Sequence, residues 1–283
     1  MTSNIALKQK AAAFLSLHKG GRLLVLPNVW DPLGARILEA KGYPAVATAG
    51  AAISASLGYK DGERIRHSTL IEVIGRIAAS VAIPVTADID AGHGKTVSDL
   101  EETIRAVIGA GVVGINIEDG IEDGKALRPV TEQCERISAV RECAAREGVH
   151  LVINARIDSF HVSSVFSNIA DAREDAVARA AAYAQAGADC VFPVGPGDAE
   201  TVKVLRSRID SPINIIWTPR AAAPAELESI GVNRLSFGPF IHRALMRTFV
   251  DIADALMTHQ DPSGVKNMLS KSDTDAFLRD GPE

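Results

Sequence analysis

The stretch "IPVTADIDAGHGKTVSDLEETIRAVIGAGVVGINIED" (residues 83–119) decides the fold. It opens on an apolar run that ends in two aspartates, passes through a glycine-spaced turn, and continues as a helical pattern at "VSDLEETIRAVIGAG". It closes on a second apolar run, "VVGINIED" (112–119). Strand, helix and strand in that order form a βαβ unit, whose two strands run parallel. Parallel strands buried on both faces read as continuous apolar runs, and these do. The same pattern recurs outward in both directions: "LLVLPN" (23–28), "AVATAG" (45–50), "HLVINARID" (150–158), "ADCVFPVG" (188–195), "INIIWT" (213–218) and "RLSFG" (234–238). Ala-, Glu- and Arg-rich helical stretches separate them, with Gly187 closing one helix and Ser98 and Asp198 opening others. Eight strands alternating with eight helices, without a Pro/Gly/Ser-rich linker, predict an α/β chain folded as a single parallel (β/α)8 TIM barrel. The competing doubly wound sheet would carry GxGxxG after its first strand, and "LPNVWDPLGA" (26–35) has none. One domain over 1–283 is expected: an N-terminal helix at 1–20, the barrel at 21–258 and a polar extension at 259–283. The extension would be a packed terminal helix or a contact swapped with a neighbouring subunit.

Bulk properties narrow the function. The 283 residues are 47% apolar and 23% charged, ordinary for a soluble globular chain. A net charge of −5 with no basic run argues against nucleic acid as a partner. Cys134, Cys143 and Cys190 form no CxxC pair and read as reduced thiols of a cytoplasmic protein. No run approaches the ~18 apolar residues of a membrane span. The first residues lack the apolar core of a signal peptide and read as a short amphipathic helix.

In such barrels the chemistry gathers at the carboxyl ends of the strands. Thr48 and Gly50 end the second run, Asp88 and Asp90 the third, and Glu118 and Asp119 the fourth. Asn154, Arg156 and Asp158 end the fifth, Asn214 sits in the seventh, and Asp61 lies in the loop after the second. Asp88 and Asp90 fall on one side of a strand, because side chains alternate. Two carboxylates so placed repel unless a cation lies between them or one takes a proton. Oxygen ligands without His or Cys suit Mg²⁺, or Mn²⁺. Arg156 among those acids could grip a substrate carboxylate or phosphate. Taken singly, an Asp-x-Asp can cap a turn and an arginine can serve an ion pair; polar endings on successive strands at one rim favour a cation site.

Four motifs, "TAGAAISASLGYKDGE" (48–63), "VTADIDAGHG" (85–94), "GINIEDG" (114–120) and "INARIDS" (153–159), together resemble the isocitrate lyase/phosphoenolpyruvate mutase superfamily in order and spacing. The resemblance implies a Mg²⁺-dependent barrel that acts on a small anionic substrate through an enolate-like species. It also implies a homotetramer, a dimer of dimers that exchanges a terminal helix. Carried over, it makes Asp88 the main metal ligand, with Asp90, Glu118 and Asp61 holding metal-bound waters. The 48–51 turn (Thr48, Gly50, Ala51), Arg156 and Asn214 would bind substrate.

Departures bear on the reaction. The superfamily's C–C lyases carry Lys-(Lys/Arg)-Cys-Gly-His after the fourth strand; here "EDGIEDGKALRPV" (118–130) has neither Cys nor His. Its phosphonate mutases use a Lys and Asn in that loop and a histidine on strand six; Lys125 lacks the Asn, and "VFPVG" (191–195) lacks the histidine. His93 stands where the family has an aromatic ring, either packing under the site or supplying a proton. The expectation is a lyase or decarboxylase that cleaves a C–C bond in a small 2-oxo or 2-hydroxy di- or tricarboxylate, with Asp61, Arg156 and Lys125 as catalytic groups. The alternatives are P–C chemistry on phosphoenolpyruvate or phosphonopyruvate, and a non-catalytic 2-oxo-acid binder.

Overall fold

The structure, a computed structural model, describes residues 2–121, 125–162 and 165–278. In chain order it runs α1 (Thr2–Leu17), β1 (Leu24–Leu26), β2 (Asn28–Val29), α2 (Pro32–Ala40), β3 (Val46–Thr48), α3 (Gly50–Ser56), α4 (His67–Ser80) and β4 (Val85–Asp88). It continues with α5 (Val97–Gly109), β5 (Gly114–Glu118), a hairpin of β6 (Gly120–Ile121) and β7 (Ala126–Leu127), α6 (Val130–Arg146), β8 (Val152–Ile157) and α7 (Ile169–Gln185). The last elements are β9 (Cys190–Pro193), α8 (Ala199–Arg206), β10 (Asn214–Ile216), α9 (Pro224–Ile230), β11 (Arg234–Ser236), α10 (Phe240–Met257), a 3-10 turn (Ser263–Asn267) and α11 (Lys271–Asp275).

Parallel pairing runs β2-β3-β4-β5-β8-β9, and β1-β11-β10 completes the ring. A bridge between Val191 and Ile213 joins β9 to β10, and Pro27, which has no N–H to give, divides one barrel strand into β1 and β2. The eight predicted runs therefore close into the predicted barrel. Register sets Asp88 beside Asn116 and Glu118 beside Arg156, so successive strands deliver these groups to one rim. The antiparallel β6–β7 hairpin was not foreseen, since two-residue strands carry no periodicity.

Helices cover the barrel through single apolar stripes. Leu70, Ile74 and Ile77 of α4 and Leu100, Ile104 and Val107 of α5 are fully buried at helical spacing. Each contributes about 1.5–3 kcal/mol of burial. Thr96 caps α5 in a reciprocal box with Asp99, two residues ahead of the expected opener Ser98, because the Thr96 hydroxyl reaches the Asp99 amide. Asp198 caps α8, and α7 ends before Gly187 (φ +114°), both as read from the sequence. At the amino-terminal end of the barrel α1 inserts Phe14, fully buried against Gly114, where a Cβ would lie 2.6 Å from the ring. Along α10, by contrast, Leu245, Met246, Phe249, Val250, Leu256 and Met257 remain exposed. α11 buries no residue.

A buried network ties the rim to the helical layer. Asp119 is fully buried and accepts from Tyr183 Oη (2.6 Å), Arg179 Nη1 (3.1 Å) and the Asp158 amide (2.9 Å). Burial pushes the Asp119 carboxyl up, and those donors oppose the shift. Asp119→Ala removes the acceptor for two buried donors and is expected to cost about 3 kcal/mol. Tyr183→Phe, which removes the hydroxyl's bonds to Asp119 and from Arg179 but leaves the Asp119 carboxylate paired, is expected to cost about 1–2 kcal/mol. Urea unfolding of both variants checks the order.

Candidate active site and metal centre

Asp88 ends β4 with both sides of its position specified. Its amide donates to Thr48 Oγ1 (3.0 Å), and the Gly50 amide, at the start of α3, donates to its Oδ2 (3.0 Å). Gly50 keeps this approach close: a Cβ there would lie 3.0 Å from Asp90 Oδ1 and 3.4 Å from Asp88 Oδ2, and the carboxylates would have to give way slightly. Both carboxylates thus converge on one backbone segment. Asp90 itself has φ +49°, and Glu63 (+58°) and His93 (+53°) share the left-handed region that non-glycine residues rarely enter. The Glu63 carboxylate accepts from the His93 amide (2.6 Å), and His93 Nε2 lies 3.7 Å from Asp90 Oδ2. Three strained residues in mutual contact mark a rim where geometry is held at a cost in stability.

Opposite them, Arg156 Nη1 pairs with Glu118 (2.6 Å) and Nε with Asp158 (2.8 Å). Asp61, Glu63, Asp90, Glu118, Arg156 and Asp158 line one cavity of about 600 Å³. Burial raises the Asp88 carboxyl above its ordinary range despite Arg156 and the Gly50 amide. Burial and then Asp88, Asp61 and Glu63 push Asp90 well up; burial pushes Glu118 well up, with Asp158, Asp90 and Asp88 adding to it and Arg156 opposing. Burial works against the Arg156 guanidinium, but Glu118, Asp158 and Asp88 outweigh it and drive its pKa higher.

The donor set fits a hard divalent cation. Asp88, Asp90 and Glu118 are desolvated carboxylates, Asp61, Glu63 and Asp158 add three more, and Arg156, Arg128 and Lys95 at the same cavity leave them short of positive charge. Among the described residues no three His, Cys, Asp or Glu side chains form a ready-made metal cage.

Of the expected site residues, Asp61, Asp90, Glu118 and Arg156 meet in the cavity, with Asp88 and Gly50 beneath. Thr48 is buried, holding the Asp88 amide by its hydroxyl and the Asn28 amide by its carbonyl. Ala51 is half-buried in the first turn of α3. Asn214 lies inside the barrel, donating to Ser236 Oγ (3.1 Å), and does not line the cavity. Lys125, in the connection between β6 and β7, is exposed and outside the cavity lining, its amide donating to the Ile121 carbonyl (3.1 Å); residues 122–124 of the expected lid lie outside the described residues. Lys95, Arg128 and His161 line the cavity. Lys95 and His161 were not singled out in the sequence, where both read as ordinary loop residues. His93 packs: its side chain is 4% exposed, its ring lies 5.8 Å from that of His67, and burial lowers its pKa.

Comparison with known proteins agrees with this geometry. Residues 14–257 match the phosphoenolpyruvate phosphomutase family model. The chain is 31% identical to a 2-methylisocitrate lyase of Aeropyrum pernix over 198 residues, 68% of this chain and 60% of that enzyme, so the match spans less than two thirds of the relative's length. A Burkholderia cenocepacia J2315 crystal structure provisionally described as a phosphonomutase superposes with a TM-score of 0.82 at 35% identity, over 88% of this chain and 98% of that one. A phosphonopyruvate hydrolase solved with oxalate and Mg²⁺ shares the fold at 23% identity, with a TM-score of 0.81 over 95% of this chain and 94% of that one. A barrel whose acids gather on one rim, matched along most of its length, belongs to the phosphoenolpyruvate phosphomutase family, within the isocitrate lyase/phosphoenolpyruvate mutase superfamily of lyases and mutases.

The raised Asp90 and Glu118 values carry a stability consequence. The folded chain holds these protons more tightly than the unfolded one, so their contribution is largest below the ordinary carboxylate range and declines as pH rises through the raised values. Asp90→Asn keeps the left-handed backbone, which Asn tolerates, and removes one like charge. In EDTA at alkaline pH its Tm is expected to exceed wild type by about 2–4 °C, narrowing toward acid. Melting curves across pH check it; a lower Tm at alkaline pH would contradict the charge-repulsion account.

Proposed function

We propose that the protein is a Mg²⁺-dependent lyase, cleaving a C–C bond in a small 2-oxo or 2-hydroxy di- or tricarboxylate. The observation that carries the reading is the desolvated carboxylate cluster of Asp88, Asp90 and Glu118, short of positive charge on the rim where the relatives' fold places chemistry. Asp88 would be the direct metal ligand, with Asp90, Glu118 and Asp61 holding metal-bound water; the oxalate and Mg²⁺ of the phosphonopyruvate hydrolase structure support that choice of ion and ligand class. Bound Mg²⁺ supplies the positive charge that stabilises electron density building on the substrate's 2-oxygen. Arg156, pre-aimed by Glu118 and Asp158, orients a substrate carboxylate. The Ala51 amide, in the first turn of α3, is a donor for a substrate oxygen. Asp61, exposed at the cavity edge, positions the water that exchanges the proton. Lys125 falls outside this scheme. A second reading, phosphoryl or P–C transfer, is supported by the name of the matching family model. The absence of the mutases' histidine at Pro193 and Val194 weighs against that reading, although Val194 also replaces the acid that the lyases carry there.

Assembly as a dimer of dimers is supported by the exposed apolar stripe of α10, which needs a cover. No helix of the described residues is long and apolar enough to cross a membrane.

Proton and phosphorus NMR with Mg²⁺ and a panel of oxaloacetate, isocitrate, methylisocitrate, malates, phosphoenolpyruvate and phosphonopyruvate tests the reaction. Pyruvate, glyoxylate or oxalate as product supports the lyase, and a new phosphorus resonance would replace it with the second reading. Asp88→Ala is expected to abolish the Mg²⁺ response, and Arg156→Ala to raise KM about 10- to 100-fold. Lys125→Ala should leave kcat near wild type in the same steady-state assays. Phe249→Asp on α10 is expected to shift the assembly to smaller species by light scattering.

A further inference from the structure

The barrel mouth holds a second cavity, of about 880 Å³, between the loops that follow β8, β9 and β10 and the starts of α7 and α10. Its walls are largely apolar, built from Phe160, Phe166, Ile169, Pro219 and Phe240. Among the described residues that line it, only Asp198 and Arg220 are charged, and Asp198 is engaged in capping α8. The α7 amides at its edge are likewise occupied, since Asn168 Oδ1 accepts from Ala170 and Asp171. The starts of α7 and α8 are thus closed by their own side chains, α10 follows Pro239 without a side-chain cap, and the greater part of the wall between them is apolar surface.

The two cavities share a wall. Asp158 and His161 face the acid cavity, while Ser159 and Phe160 between them face the apolar one. Phe160 is seated by Gly195, where a Cβ would lie 2.9 Å from the Phe160 Cβ. Arg156, the proposed carboxylate grip, is bonded to Asp158 of that same wall. A ligand head held by Arg156 therefore lies one side chain from an apolar chamber larger than the acid cavity itself.

We propose that this chamber is the subsite for an apolar substituent, so that the substrate is a 2-oxo or 2-hydroxy acid bearing an alkyl or aryl chain. Its oxygen-rich head occupies the acid cavity and its chain passes the Asp158–His161 wall. The inference rests on the acid cavity being the head-group site, and the test separates the two. Calorimetric titration in Mg²⁺ would use oxalate, pyruvate, 2-oxobutyrate, 2-oxohexanoate, 2-oxooctanoate and phenylpyruvate. Affinity is expected to rise about fourfold per methylene along the chain series. Ile169→Asp should abolish that rise and leave oxalate binding unchanged. Ile169 is 69% exposed and occupies the first position of α7, where an acid favours the helix, so the variant should fold. Oxalate binding with a flat chain series overturns the subsite and leaves the head-group site standing. A rise untouched by Ile169→Asp places the chain elsewhere and overturns the subsite as well. Failure of oxalate to bind in Mg²⁺ overturns the head-group reading and the subsite with it.

Discussion

Arg156 stands among more carboxylates than it, Arg128 and Lys95 together can neutralise. Arg156 reaches Glu118 and Asp158 directly and acts on Asp88 through space, while Asp90 and Asp61 add further negative charge to the same mouth. Desolvated like charges at this density are unfavourable in the absence of added positive charge or protons. The fold bears that cost because parallel pairing leaves it no choice of rim: strands that all run one way deliver their last residues to one end. The apolar core, the capped helices and the Asp119–Arg179–Tyr183 network supply the rigidity that holds the repelling groups together.

The mouth is divided by chemistry. One half presents charge around a compact cavity, and the other presents aromatic and aliphatic surface around a larger one. The segment from Asp158 to His161 serves both, with alternate faces of a short loop turned to each. A head-group site with an adjoining apolar chamber allows the same charged machinery to serve different substrates through loop changes alone, which is how barrel enzymes diversify.

Membership in the phosphoenolpyruvate phosphomutase family defines the scaffold and leaves the reaction to residues that vary on it. Here the segment after β5 carries the β6–β7 hairpin and lacks both the cysteine of the lyases and the asparagine of the mutases. His93, in an aromatic position, behaves as a packed ring, and its strained backbone is held by Glu63. At the cavity edge Asp61 and His161 are exposed.

By itself the sequence determined the alternation of strands and helices, because burial on both faces writes continuous apolar runs that local reading can see. It likewise determined that Asp61, Asp88, Asp90, Glu118 and Arg156 would share one end, since position at a strand's carboxyl terminus fixes the rim. Only the tertiary structure decided what each side chain faces. Asn214 ends inside the barrel on Ser236, Thr48 is spent on the Asp88 backbone amide and the Asn28 side-chain amide, and Lys125 stands outside the cavity, although all three had the right chemistry at the right place in the chain. The apolar chamber was invisible for the same reason. Phe160, Phe166 and Ile169 come from the connection into α7, Pro219 from the loop after β10 and Phe240 from the start of α10, and no periodicity links segments that meet only when the barrel closes.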